Sequence, residues 1–299
     1  MWFKNVQIFQ FNKATPDQAE LSSALEKRLF TPCSKLQPHT LGFVPALPEA
    51  KEMVHRDQDF LLLSIKRQER LLPASVIKEF LDDKVSEIQQ EQDRKVGRKE
   101  KADLKEQLIF ELLPQAFTRS SLIQLVIDRE QGLLLVASAS QSRGEEALKL
   151  LREVLGSLDI SPLSSCYDVS GFLRQCFLGE HESSFLQQLE FELKQPGEEE
   201  AVLKHRNHGL SNEEIKERLS EGWQVSKLAL NYMAQIAFVL DQQGQLKRLK
   251  YLDMGEDNLD QTGSHPAAKA AHEFALWARN FSQMVAHLRQ KMQPLDSQG

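Results

Sequence analysis

Residues 121–156 read SLIQLVIDREQGLLLVASASQSRGEEALKLLREVLG. SLIQLVID and GLLLVASAS are apolar, strand-like runs joined by the short turn REQG, and SRGEEALKLLREVLG reads as a helix. The unit is therefore a β-hairpin followed by a helix, and a hairpin is an antiparallel pair. The same order returns near the C-terminus: IAFVLD (236–241), a QQG turn, QLKRLKYLD (245–253), then a helix from about Pro266 to Met292. The two modules share no repeated sequence, only the β-β-α order. The expected fold class is α+β, antiparallel sheets with packed helices.

Toward the N-terminus, VQIFQF alternates well enough for a strand, with Val6, Ile8 and Phe11 expected on one side. PDQAELSSALEKRLF follows as a helix with Thr15 as its cap and Pro16 at its first position. After a loop punctuated by proline and glycine, DFLLLSIKRQERLL reads as a strand or hairpin. From Ser75 to about Phe110 the chain has no proline and one glycine, Gly97. Ile77, Leu81, Val85 and Ile88 recur at helical spacing, which predicts an amphipathic helix closed by Pro114. A helix of that length inside a sheet-forming chain looks like an inserted arm. QPGEEEA (195–201) reads as a solvated turn, and QPLDSQG (293–299) as a frayed end.

Composition narrows the function classes. With 299 residues, 41% hydrophobic and 27% charged, the chain can bury a real core. Its net charge of -6 argues against a protein that coats nucleic acid with its whole surface, while a local basic patch stays open. Cys33, Cys166 and Cys176 form no C-x-x-C pair, so neither a disulfide framework nor a zinc ribbon is indicated. The start MWFKNVQIFQFNK does not read as a signal peptide, and no run approaches the roughly 18 to 20 apolar residues of a membrane span. A reduced, cytoplasmic protein is expected.

Motifs for catalysis are sparse. His205 and His208 stand at i, i+3 without the glutamate of H-E-x-x-H, and His181-Glu182 and His272-Glu273 are isolated pairs. Nucleotide-binding and nucleophile-elbow signatures are missing, and nothing local activates Cys33. The carboxylates mostly follow helix surfaces, as in SNEEIKERLSEG, where Ser211 and Glu214 read as a capping box. No catalytic residue, metal ligand or cofactor is expected.

The basic stretches say more. DRKVGRKEKADLK (93–105) sets six bases against three acids. At about 100° per residue, Arg94, Arg98, Lys101 and Lys105 fall within an arc of about 60°, if the helix is continuous. The acids lie roughly 100 to 180° away. A mixed face would gain about 0.2–0.5 kcal/mol per i, i+4 pair, so an all-positive row makes sense against an anion. The bland alternative is a solubilising face, and Gly97 permits a break that would destroy the alignment. In QLKRLKY (245–251) a regular strand puts Arg248 and Lys250 on one face and Lys247 on the other, with Leu246 and Leu249 opposed. That is either a phosphate-contacting strand or a charged edge. Lys204 and Arg206 form a third cluster. Few aromatics interleave with these bases, which favours contact with a duplex backbone over base stacking.

Several segments taken together, MWFKN, FTPCS, GFVP, the LLPASVIK run, LLPQAF, LGSL, SNEEI and the KLAL…LKRLKY ending, resemble the RdgC family of recombination-associated proteins in the same order from end to end. The resemblance implies a non-enzymatic protein of the cytoplasm and nucleoid that forms a ring-shaped homodimer around double-stranded DNA. It also implies little sequence preference, weaker contact with single strands, and antagonism of RecA-dependent strand exchange. It implies a central domain (1–74 and 115–164), a helical tip (75–114) inserted in it, and a base domain (165–299). The DNA-contacting set is then Arg94, Arg98, Lys101, Lys105, Lys204, Arg206, Lys227, Lys247, Arg248 and Lys250. Phe117 of LLPQAF carries over as a dimer contact, against the plainer reading that it packs into its own core. The family pattern has a base where this chain has Gln115, and consecutive lysines where it has Lys204-His205-Arg206, so those two charge roles carry over only in part. Two other classes remain as alternatives, a metal-dependent nuclease and an adaptor that binds only the recombinase.

Overall fold

The structure, a computed structural model, describes residues 2–179, 184–197, 201–206, 212–252 and 265–295. In chain order the elements are β1 (Gln7–Phe11), α1 (Gln18–Leu25), β2 (His39–Val44), β3 (Val54–Asp57), β4 (Phe60–Arg70), α2 (Ala74–Gln92), α3 (Arg98–Leu112), β5 (Thr118–Asp128), β6 (Leu133–Ala137) and α4 (Gln141–Leu155). They continue with β7 (Ile160–Pro162), α5 (Leu163–Cys166), α6 (Val169–Leu178), β8 (Phe185–Lys194), β9 (Val202–Arg206), α7 (Asn212–Ser220), β10 (Gln224–Tyr232), β11 (Ile236–Asp241), β12 (Leu246–Tyr251) and α8 (Pro266–Lys291). All strand pairs within the two sheets are antiparallel, which bears out the α+β reading.

The first sheet runs β2-β4-β5-β6-β1-β7, with β3 beside β2 on the same edge of β4. Its central strands are apolar without alternation because both faces are covered. Leu61, Leu63, Ile65, Leu125, Ile127, Leu134 and Val136 meet α1 and α4 in one cluster. Phe60, Leu62, Val126, Leu133 and Leu135 face a second cluster. That second core is completed by α6, the inner face of the second sheet (β12-β11-β10-β8-β9) and α8. Phe274, Trp277, Ala278, Phe281, Met284, Val285 and Leu288 form the buried stripe of α8 at helical spacing. Residue parity splits β1 likewise: Ile8 joins the core under α8 and Phe11 the core under α4. The expected grouping of Phe11 with Val6 and Ile8 is thereby corrected, since positions three apart on a strand point oppositely.

Other expectations change as well. The first helix is capped by Asp17, whose Oδ1 accepts from the Glu20 amide at 2.8 Å, not by Thr15. The arm is no continuous helix. Asp93 takes a left-handed conformation (φ 46°, ψ 41°) at the end of α2, and α3 starts after Gly97. The two form a helical hairpin in which Val85, Val96 and Leu108 are buried and Ile77, Leu81 and Ile88 half-buried. At the C-terminus, residues 293–295 are tied down: the Asp168 amide donates to the Gln293 carbonyl at 2.8 Å and the Leu295 amide to the Cys166 carbonyl at 2.9 Å. The end expected to fray is held there, and 296–299 lie outside the described residues, as do Ser211 of the capping box and 198–200 of the QPGEEEA turn.

Candidate nucleic-acid interface

The second sheet turns its inner face to α8 and keeps a charged outer face. Strand β12 explains how that face is filled. Leu246 and Leu249 are both buried, although three residues apart they would oppose each other on a regular strand. Arg248 resolves the conflict: its backbone is left-handed (φ 53°), and the pairing of β11 with β12 shifts register beside it. A bulge of this kind adds one residue to one strand and inverts which positions beyond it face the core. Both leucines then reach the core, while Lys247, paired with Val239, and Lys250, paired with Ala237, share the outer face. The expectation that Lys247 and Lys250 oppose each other is therefore corrected. Nor is β12 a bare edge, because residues 4–6 run beside it. Val6 and Leu246 exchange both backbone hydrogen bonds (2.8 and 2.9 Å), the Leu249 amide donates to the Lys4 carbonyl at 2.9 Å, and the Arg248 amide donates to Asn5 Oδ1 at 3.2 Å.

Across the sheet the register sets Lys204 of β9 opposite Glu192 of β8, Glu192 opposite Lys227 of β10, and Lys227 opposite Asp241 of β11. Lys227 Nζ lies 2.9 Å from both Glu192 oxygens, Lys204 Nζ 3.6 Å from Oε2, and Lys247 Nζ 2.7 Å from Asp241 Oδ2. One step along, Arg206 of β9 and Arg248 of β12 both reach Glu190 Oε1, at 3.2 and 2.5 Å. β12 and β8 are three strands apart in the sheet order, about 14 Å if the sheet were flat. Long arginine and glutamate side chains laid along the outer face span that distance. The result is a cleft of about 460 Å³ lined by Lys204, Arg206, Lys227, Lys247 and Arg248 with Glu190 and Glu192 among them.

The electrostatics follow from this packing. Burial alone would raise the Glu192 carboxyl, but hydrogen bonds from Lys227 and Ser226 and the charges of Lys227 and Lys204 bring its pKa down. Glu190 shows the same balance, burial opposed and overcome by Arg248 and Arg206. Five cations thus outnumber the cleft's carboxylates, and the cations on its rim are open to solvent, Lys204 with 74% and Arg206 with 65% of the side chain exposed. A concave, low-dielectric wall of one predominant sign attracts anions.

The other candidates lie elsewhere. Arg98, Lys101 and Lys105 are exposed at i, i+3 and i+7 on α3, one face of that helix. Arg94 leaves the row. It sits in the break between the helices and forks onto Glu100, with Nη1 and Nη2 at 2.7 and 2.6 Å from the two carboxylate oxygens. The four-residue ridge of a single helix is thereby corrected to three, because the left-handed turn at Asp93 resets the helical phase. Phe117 stands between Ala116 and β5 with 86% exposure, so it does not pack into its own core.

Metal and nucleophile chemistry find little footing. Among the described residues no three His, Cys, Asp or Glu side chains come together as a metal would need. His205 stacks on Phe191 at 4.9 Å, while His208 and His181 lie outside the described residues. Burial pushes the Cys176 thiol up to about 12, and the Cys33 amide donates to Gln68 Oε1.

The RdgC family model, described as "Putative exonuclease, RdgC", matches residues 1–294. The chain belongs to the RdgC family. It is 36% identical to the recombination-associated protein RdgC of Shewanella frigidimarina over 99% of both chains, and 38% identical to that of Shewanella sediminis over 92% of both. It is 36% identical to the RdgC of Neisseria gonorrhoeae over 96% of this chain and 97% of the relative. These matches span nearly the full length of each relative and take in the segments that form both sheets and the hairpin here. No described helix is long and apolar enough to cross a membrane.

Sequence reasoning missed Glu190, Glu192 and Asn5 in the cleft lining, and the buried Ser226 and Asp241 that hold Glu192 and Lys247 from behind. A signal existed in FELK (191–194) and its preceding glutamate. Glu190 and Glu192 alternate there with Phe191 and Leu193, which marks a strand with one charged and one core face.

Proposed function

We propose that this protein binds double-stranded DNA without regard to sequence, as a homodimer that closes a ring around the duplex and restrains RecA-mediated strand exchange by occupying the DNA. One observation carries the reading: cations from three separate strands, β9, β10 and β12, converge in a single cleft of a chain with net charge -6. Lysine and arginine side chains that meet phosphates give affinity without reading bases, and such binding weakens steeply with salt. The name "Recombination-associated protein" borne by the relatives supports a role at DNA under recombination. In this reading the base domain (165–299) holds the cleft. The central domain (1–74 and 115–164) bears the tip (75–114), whose Arg98, Lys101 and Lys105 add a second row of cations.

The test is a salt-titrated binding assay on two unrelated duplexes. A variant carrying Lys204→Glu, Arg206→Glu, Lys247→Glu and Lys250→Glu is expected to bind both at least tenfold more weakly. Its slope against log salt should fall by about 0.9 for each phosphate that is no longer neutralised. Reversal of Arg98, Lys101 and Lys105 gives the share of the tip. Wild-type affinity and slope in the four-site variant would remove the cleft from the interface, and a wild-type protein that ignores DNA at low salt would leave the adaptor reading in place.

The words "Putative exonuclease" in the family description favour one second reading, a nuclease. End-labelled duplex incubated with the protein and Mg²⁺ or Mn²⁺ decides it. Protein-dependent shortening that a carboxylate variant abolishes would establish cleavage, which needs clustered carboxylates to hold the ions.

A further inference from the structure

Three carboxylates meet the cations of the cleft, Glu190 and Glu192 in its lining and the buried Asp241 behind Lys247; two are built into the fold and one is not. Asp241 is buried, and its Oδ1 accepts from the amides of Gln243 and Gln245, so it organises the turn between β11 and β12. Glu192 is buried and takes hydrogen bonds from Ser226 Oγ and Lys227 Nζ, both at 2.9 Å. Glu190 differs. Its side chain keeps 31% of its surface, and the groups that meet it are two guanidiniums on half-open or open side chains. They arrive from opposite edges of the sheet, β9 and β12, and converge on one oxygen through Nη2. Two guanidiniums focused on one anionic oxygen form a seat for an oxyanion, and a phosphodiester offers the same paired oxygens as a carboxylate.

We propose that Glu190 occupies, in the free protein, the seat that a nucleic-acid phosphate takes, acting as an internal competitor that sets the affinity and salt dependence of the cleft. The proposal rests on the DNA-binding reading above and names how that site is regulated. Binding then exchanges one anion for another: the phosphate enters between Arg206 and Arg248 while the Glu190 side chain swings to solvent. The buried Glu192 and Asp241 stay in place and keep Lys204, Lys227 and Lys247 positioned. The exchange keeps binding loose enough for a protein that must release DNA, because part of each phosphate's attraction is already satisfied internally.

Glu190→Gln is the test, with Glu190→Ser as a second neutral variant and Glu190→Asp as the charge-preserving one. Folding is checked by circular dichroism and melting. Each is titrated with a labelled duplex across a KCl series, and separately with inorganic pyrophosphate by calorimetry. Both neutral variants are expected to bind duplex about three- to thirtyfold more tightly, the range that two half-exposed ion pairs span. Their salt slope should steepen by about 0.9 for each guanidinium freed. Pyrophosphate affinity should rise in parallel, with the aspartate variant staying near wild type. Neutral variants that bind both ligands as wild type or more weakly would overturn the proposal, as would an aspartate variant that gains as much as they do. If wild type fails to bind duplex while the neutral variants gain pyrophosphate, the seat stands and the DNA reading falls. A gain for neither ligand with normal duplex binding by wild type removes the seat alone.

Discussion

Glu192 carries a measurable stability effect on its own. Its partners depress its pKa below the ordinary carboxylate value of 4.5 against the opposing pull of burial. The ionised form therefore favours the folded state, fully so above the unfolded value of about 4.5, and that contribution is lost as pH falls through the depressed folded value. Glu192→Gln should cost about 1–3 kcal/mol at pH 7, since it removes the charge and replaces one acceptor of Lys227 with an amide donor in a buried position. Thermal melting from pH 3 to 8 is expected to show the gap between variant and wild type closing below about pH 4.5. A gap that stays constant across that range would mean the charge of Glu192 plays no part. Neither Glu192 nor Glu190 stood out in the sequence, because a glutamate among forty-three acids is marked only by its neighbours.

At the scale of the element, β12 is decided by one backbone conformation. Arg248 in the left-handed region strains a residue that has a Cβ, and glycine relieves that strain. Arg248→Gly is therefore expected to melt at or above the wild-type temperature while binding duplex more weakly, which separates the side chain's role from the bulge's. Arg248→Val, whose branched side chain resists the left-handed region, should do the reverse of stabilising. A strand forced into regular alternation with residue 248 in place would turn Leu249 to solvent and Lys250 to the core, a loss of about 1.5–3 kcal/mol from the leucine alone. Melting curves of the two variants, one unchanged or higher and one much lower, check this; equal melting of both would mean that the bulge is dispensable. The same scale explains the arm. The heptad-like apolar spacing of α2 was legible and faces α3, yet the turn at Asp93–Gly97 was not, because one glycine in a charged run permits a break without requiring it.

For the whole molecule, two cores share the first sheet as a common wall, and α8 ties the second sheet to it. Trp277 Nε1 donates to Tyr251 Oη at 2.6 Å, and Tyr251 Oη donates to the Phe3 carbonyl at 3.1 Å, so N-terminus, β12 and α8 lock together. On the outside, Phe117 is the most exposed of the large apolar side chains among the described residues. Our reading places it at a contact between two copies. Phe117→Glu should leave melting within about 0.5 kcal/mol of wild type, as for other surface changes, while shifting sedimentation toward the monomer. A variant that sediments as wild type would take Phe117 out of the contact. Small-angle scattering of the wild type, with and without a duplex, reads whether the assembly encloses a central hole.

The sequence by itself determined the two β-β-α modules, the antiparallel α+β class and the family, but it hid β2 inside a stretch read as loop and ran two helices of the arm into one. Modules, class and family are each written locally, in hairpin turns, apolar runs and the order of short motifs from MWFKN to LKRLKY. It also supplied the bases. Only the tertiary structure decided which of them meet, and the physical reason is specific. A one-residue bulge at Arg248 inverts the parity of everything after it, the Arg248 side chain reaches across the outer face to Glu190 of β8, and a left-handed turn at Asp93 parts Arg94 from Arg98. None of these is a periodic signal, so no projection along the chain could place the five cations in one cleft.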